Sequence, residues 1–328
     1  MMKAKWIINV LLVLTICACG SSADKPEKTK AKGKSQSAPY ELLVVADKEW
    51  LKTEAGQSLM DVVEGPIEGL PQYESCFRCT KINRSGLNGT FKVYRNIVIA
   101  DVSRKYTEAE IRASRDEYCR PQLVVYLTAP DDEAFYKMMK ERGEQLLDLF
   151  NAMEFERERG VLMKKYSRAV MRQAEKQFEA KFYAPQDIDE VKEGKDFFWA
   201  SAGKQDFKLN VCMYSLPLYD MNLGEYVAAR DSLMRINIPG GKEGQWMETD
   251  ARTVTYRVRT AADGTQIVVV RGLWDMHGDA MGGPFVAYLM ADTKNNRMLV
   301  AEGFAFAPNE KKRPLIRELE AALQTISF

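Results

Sequence analysis

Residues 131–184 contain no proline, and this one stretch sets the layout of the chain. Proline is the strongest interruption of a helix, so its absence leaves the apolar pattern to decide. Phe135, Met138, Met139, Arg142, Leu146, Leu149, Phe150 and Met153 recur at intervals of three and four, and Leu162, Tyr166, Val170, Ala174, Phe178 and Phe182 continue the series at four. That spacing lines one face of a helix. Ala129-Pro130-Asp131-Asp132-Glu133 supplies a helix start, because acids sit well at the positive end of the helix dipole. The pattern predicts a long helical connector over 131–181, weakened at Gly143 and Gly160 and broken or kinked at Gly160. Methionines at this spacing read as core filler rather than as a binding surface. Two separate folding units are then expected on either side.

The first unit, 40–130, alternates strand and helix. Residues 41–46 form a short Val-rich apolar run. Asp47 follows as a candidate N-cap, and Trp50, Leu51, Ala55, Leu59, Val62 and Val63 stand at helical spacing until Gly65-Pro66. Residues 73–82 and 91–102, with turn residues Ser85-Gly86 and Asn88-Gly89 between them, predict a hairpin. Thr107 and Glu110 resemble a capping box for a helix ending near Arg120-Pro121, and 122–127 is a further apolar strand. The order βαββαβ is that of a ferredoxin-like unit, two helices on one face of an antiparallel sheet. In the second unit, 182–328, strands are expected at 196–200, 207–213, 253–259, 265–273, 284–292 and 298–307, with turns at Ala262-Asp263-Gly264 and Lys294-Asn295-Asn296. Helices are expected at 223–236 and 314–326, the latter with Leu315, Ile316, Leu319, Leu323 and Ile326 on one stripe. The fold class is therefore α+β: a ferredoxin-like unit, long connecting helices, and an antiparallel-sheet α/β sandwich whose element order is similar to the Mog1 and PsbP type.

The composition of the 328 residues, 46% hydrophobic and 28% charged, excludes collagen-like, low-complexity and wholly disordered chains. With 47 basic against 46 acidic residues the net charge is +1, without the basic excess of a nucleic-acid binder, and no nucleic acid partner is expected. At the start, Lys3 and Lys5 precede an apolar run of residues 6–18, too short to span a bilayer and shaped like an export signal. It ends in Ile16-Cys17-Ala18-Cys19-Gly20. Small Ala18 before Cys19 suits a signal peptidase cleft, whereas Cys17 would put Ile16 there. Cys19 is therefore the expected lipidation site, 1–18 the lipoprotein signal peptide, and 19–39 a basic tether too polar to bury a core. Two or three acyl chains on Cys19 would hold the protein stably at a membrane.

The only histidine lies in the segment 271–285, with Trp274, Asp275, His277 and Asp279 beside Gly278, Gly282 and Gly283. In an extended chain Asp275, His277 and Asp279 share a face, which makes Trp274, Asp275, His277 and Asp279 the candidate ligand-binding group. The competing reading is a tight bend packed by Trp274 and Phe285, and it is the one expected to hold. No catalytic residues, metal or cofactor are assigned: no nucleophile elbow or phosphate loop is present. Cys76, Cys79, Cys119 and Cys212 form an even set with three pairings open, and Cys76 and Cys79 lack the helix start a redox pair requires. The mixed charges of residues 154–159 read as a solvated face, and Lys311-Lys312-Arg313 as a basic knot where a helix start would prefer acids.

Several segments together carry a family resemblance. ELLVVADKEW, EGLPQYE, RNIVIADV, ERERG, DFFWAS, ARDSLMRINIPG, RGLWDMHGDAMGGPFVAY and EGFAFAPNEKKRPLIRELE, with the Cys19 lipobox, resemble a Bacteroidetes lipoprotein family known as domain of unknown function 4837. The resemblance implies a lipid-anchored envelope protein, at the outer membrane and facing either side of it, with no activity or cofactor to carry over. The expected role is a non-enzymatic binding or assembly module with an envelope protein partner. The alternative is a metal-dependent or hydrolytic enzyme centred on 271–285.

Overall fold

Leu42, Leu43, Val44 and Val45 are all fully buried, so the strand that holds them has a covered surface on both sides. The computed structural model describes residues 32–202, 209–261 and 264–328. The expected signal peptide, Cys19, most of the tether and most of the turn at Ala262-Asp263-Gly264 lie outside the described residues.

The first sheet is built from β1 (Glu41–Val45), β2 (Arg78–Ile82), β3 (Asn96–Val102), β4 (Glu110–Arg115) and β5 (Leu123–Ala129), in the order β2-β1-β3-β5-β4. β1 pairs in parallel with β2 and β3, β3 pairs in parallel with β5, and only β4 is antiparallel, on β5. α1 (Glu54–Val63) starts at Thr53, whose hydroxyl accepts from the Gly56 N–H. It packs on one face together with α3 (Asp132–Leu162), burying Leu42, Val44, Val98, Val125, Phe135, Leu146 and Phe150. On the other face Leu43, Val45, Ile97, Ile99 and Val124 lie under Leu87, Phe91, Tyr94 and Tyr118, from the segment holding α2 (Gly89–Lys92) and from the β4–β5 connection.

Three expectations are corrected here. The unit is not ferredoxin-like, because its long strands run parallel and are buried on both faces, as the unbroken runs Leu-Leu-Val-Val and Ile-Val-Ile require. Residues 73–82 and 91–102 do not form a hairpin: β2 and β3 lie on opposite sides of β1. The helix expected after Thr107 is the edge strand β4, whose mostly exposed side chains gave no apolar signal.

The helical stretch 131–181 is shared between two cores. α3 starts where expected, with the Asp131 carboxylate accepting from Ala134 N–H at 2.9 Å, but Gly160 lies inside it. Gly143 is a contact point: a Cβ there would stand 2.5 Å from Val62 Cγ2, so α1 and α3 meet only because it is glycine. Nor are residues 154–159 simply a solvated face. Glu154 is buried and the Arg157 side chain is only 6% exposed; Arg157 bonds the Arg95 carbonyl, the Asn96 amide oxygen and Glu154, fixing α3 to the start of β3. α4 (Arg168–Phe178), capped by Ser167, begins the second core.

That core surrounds a seven-stranded antiparallel sheet, β6 (Ile188–Gly194), β7 (Phe197–Ala202), β8 (Leu209–Pro217), β9 (Trp246–Thr260), β10 (Gln266–His277), β11 (Gly282–Asp292) and β12 (Arg297–Ala305), ordered β6-β7-β8-β12-β11-β10-β9. Alternate residues serve opposite faces, as the two-residue period of a strand dictates. From β12, Leu299, Ala301 and Ala305 pack with α4 and α6 (Arg313–Leu323), while Val300 and Phe304 pack with α5 (Leu223–Asn237). The chain is a mixed α+β protein with two sheets. Glu74 ties them together: its carboxylate accepts from the Lys312 and Arg313 N–H groups at 2.6 and 3.1 Å. The basic start of α6 therefore does receive its acid, from 238 residues away along the chain.

Candidate functional site

The structure divides the 271–285 candidates. Trp274 is 2% exposed; its indole N–H donates to the Ala305 carbonyl at 3.3 Å and its ring meets Phe304 edge-on. Asp275 and His277 lie on the opposite, solvent face of β10, as alternation requires. His277 is stacked on Trp246 with ring centroids 4.0 Å apart, and its Nδ1 is 3.6 Å from Glu248. Asp279 belongs to the turn beyond, where it accepts from Ala280 N–H and the Gln245 side chain. Asp275, His277 and Asp279 stand exposed while Trp274 is buried on the other face, and among the described residues no group of three His, Cys, Asp or Glu side chains is placed to hold a metal ion. Cys76, Cys79, Cys119 and Cys212 are free thiols, and burial raises the pKa of each.

A cleft that sequence reasoning missed lies where the two cores meet. It has a volume of about 440 Å³ and is walled by α3, the loop 65–68, β9, β10 and α6. That is within the usual range for small-molecule sites. Its floor is a charge cluster. Glu320, fully buried, receives Arg271 Nη2 on Oε1 and Arg317 Nη1 on Oε2 at 3.3 Å, and Arg259 Nη1 stands 3.7 Å from Oε1. Burial opposes the charge on Glu320, but Arg271, Arg317 and Arg259 together outweigh it and hold the carboxyl below its ordinary range. Three guanidiniums thus converge on one carboxylate. Arg317, 6% exposed, is further held between the rings of Tyr40 and Phe155. At the rim, Arg257 is balanced by Glu68 and Glu144.

The floor leaves hydrogen-bonding capacity unused. Arg271 Nη1, Arg317 Nε and Asn151 Oδ1 are buried and have no hydrogen-bond partner in the protein, and all three residues line the cleft. Buried polar groups are nearly always satisfied, so three such atoms around one cavity mark where a ligand's polar atoms fit. Loss of hydration also raises the pKa of Asp148, beside Asn151 on α3. No short motif announces this site: its arginines are brought together from two neighbouring strands and a helix.

A second electrostatic feature lies on the far side of α6. Lost hydration, then Glu158 and Asp187, push the Glu318 carboxyl up to about 7. A carboxyl raised in the folded state favours folding only while protonated, so that contribution is lost as the pH rises from about 4.5 to about 7. Glu318→Gln is therefore expected to stabilise the protein at pH 8 by on the order of 1 kcal/mol, a figure reduced for the solvent that reaches the site. The gain should vanish at pH 4.5, and urea unfolding at the two pH values measures it.

The sandwich that supplies β9, β10 and α6 to the cleft also gives the family match. Residues 167–325 match domain of unknown function DUF4837. Residues 35–163 match a second family model, domain of unknown function DUF8532, so the DUF4837 region begins at the turn between α3 and α4. No curated protein matches the chain. Among solved structures, the chain is similar to a mutant of the protein Mog1, at 12% identity and a TM-score of 0.29, over 45% of this chain and 89% of that one. It is likewise similar to the Ran-binding protein Mog1p of Saccharomyces cerevisiae, at 11% identity, the same TM-score and the same coverage. The arginines of the cleft floor, Arg259, Arg271 and Arg317, all belong to the DUF4837 region, while Asn151 comes from the preceding one.

Proposed function

We propose that the chain is a binding module of the bacterial envelope, anchored through acylated Cys19, whose cleft takes a small organic anion bearing a carboxylate or phosphate group. The observation that carries this reading is the floor itself: Arg259, Arg271 and Arg317 around the single carboxylate of Glu320, with Arg271 Nη1 and Arg317 Nε unpartnered. Guanidinium groups match carboxylate and phosphate oxygens in geometry as well as charge. Asn151 Oδ1 accepts a hydrogen bond from a donor on the same ligand. The lipobox at Cys19 supports the anchored part of the reading, and no helix among the described residues is long and apolar enough to cross a membrane.

Thermal unfolding in inorganic phosphate, succinate and citrate, each matched in ionic strength with sodium chloride, tests the cleft. At least one anion is expected to raise Tm saturably, corresponding to about 2.7 kcal/mol at a hundred times its Kd. Arg259→Gln, at a partly exposed position that should not impair folding, is expected to weaken that anion about tenfold. Equal unfolding in all three anions and chloride would refute the proposal.

A further inference from the structure

The turn between α3 and α4 combines two features that rarely share a surface. Val161 and Met163 are 56% and 57% exposed, and Lys164, Lys165, Arg168 and Arg172 stand exposed beside them. From Arg159 to Arg172 the sequence holds five cations and no acid. Among the described residues none of the five is in a recorded ion pair, whereas Arg157 and Lys176 on either side are paired with Glu154 and Glu193. Four of these cations border a basin of about 530 Å³ whose one acid is Asp189. Exposed apolar side chains within a ring of unpaired cations complement a bilayer surface, with its apolar boundary and anionic headgroups.

The position of the turn adds an independent argument. Gln36 and Ser37, expected in the tether, instead run beside the start of β3: Gln36 N–H donates to the Val93 carbonyl, and Ser37 Oγ accepts from Arg95 N–H at 3.0 Å. Arg157 of α3 is bonded to that same Arg95 through its carbonyl. Beyond Arg157, α3 continues at about 1.5 Å per residue, carrying Val161 and Met163 past this end of the sheet. Gln36 and Ser37 thus lie at the end of the first sheet from which the basic, apolar turn projects. We propose that the α3–α4 turn is a second membrane contact, in which Val161 and Met163 enter the interface of an anionic bilayer and Lys164, Lys165, Arg168 and Arg172 engage its headgroups. It adds to the anchored reading above without depending on acylation.

The test uses the full chain carrying Cys19→Ala, so that no acyl group contributes, and co-sedimentation with phosphatidylcholine vesicles with and without phosphatidylglycerol. The parent is expected to favour the anionic vesicles, less so as salt rises. Lys164→Glu/Lys165→Glu/Arg168→Glu is expected to lose on the order of a hundredfold in that partitioning. Lys48→Glu/Lys137→Glu/Lys140→Glu, an equal charge change at the other end of the first sheet, is expected to lose far less. Val161→Ser/Met163→Ser, at exposed positions that leave the fold intact, should weaken binding at unchanged charge. Equal partitioning onto neutral and anionic vesicles, or equal losses in the two triple variants, would overturn the proposal. An unacylated Cys19 in cells would refute the anchor and leave this result standing.

Discussion

Glu302→Ala is expected to remove about 3 to 5 kcal/mol from the stability of the protein, a large part of the 5–15 kcal/mol usual for a domain. Arg230 on α5 and Glu302 on β12 are both 0% exposed and meet through two parallel bonds, Nε to Oε2 at 2.9 Å and Nη2 to Oε1 at 2.6 Å. The remaining guanidinium nitrogen donates to Thr249 Oγ1 at 2.7 Å, and the group lies 4.1 Å over the Phe285 ring. Tyr214 adds a bond to Glu302 at 3.3 Å. Removing the carboxylate leaves the buried guanidinium with the Thr249 hydroxyl and, 3.6 Å from Nη1, the partly exposed Asp231 carboxylate. Replacing both residues, as Arg230→Met/Glu302→Leu, should recover most of the loss, because the cost is that of a buried charge deprived of its two-bond partner. Guanidinium unfolding of the single and double variants measures it; a single variant within 1 kcal/mol of the parent would show that the pair is not closed to water.

Trp274→Ala and His277→Ala, three residues apart on one strand, should differ widely. The first is expected to cost about 3 to 5 kcal/mol, the second no more than about 0.5 kcal/mol. Trp274 fills the core between β10 and β12 and uses its only polar atom on Ala305. The surrounding packing leaves no slack: a Cβ on Gly283 would stand 2.0 Å from the Ala305 carbonyl oxygen and 3.3 Å from Trp274 Nε1. His277, 49% exposed, loses its stack on Trp246 and its solvent-exposed approach to Glu248. Comparable losses from the two substitutions would mean that the segment acts as a unit, as a ligand-binding constellation would.

The α+β character and most helices were legible because apolar spacing reports them directly. Asp131 as the start of α3 and the stripe on α6 are examples. The parallel first sheet was legible in principle, since Leu42 to Val45 are apolar without alternation, and strands covered on both faces read that way. The alternation of strands and helices alone fits a ferredoxin-like unit equally well, and only the burial of β1 on both faces separates the two. β4 was not legible: an edge strand reading Glu-Ile-Arg-Ala-Ser-Arg exposes most of its side chains and resembles a polar helix. The cap on α6 by Glu74 and the burial of Arg230 depend on partners 238 and 72 residues away, beyond any local signal. The cleft was hidden for the same reason. Arg257 and Arg259 sit two apart on β9, where they read as an exposed strand face, and only the packing of α3 and α6 turns that face into a wall.

Arginine side-chain NMR during a titration with inorganic phosphate, succinate or citrate shows whether the anion reaches the cleft floor, because the Nε–H of each arginine reports its own hydrogen bond. Arg317 Nε is buried without a partner, whereas Arg230 Nε is already bonded to Glu302 at 2.9 Å and serves as the internal reference. A saturable shift of the Arg317 Nε–H signal is expected with an anion that also raises Tm, together with a stationary Arg230 signal. A stationary Arg317 signal with all three anions, or equal small drifts of every arginine with ionic strength, would contradict it.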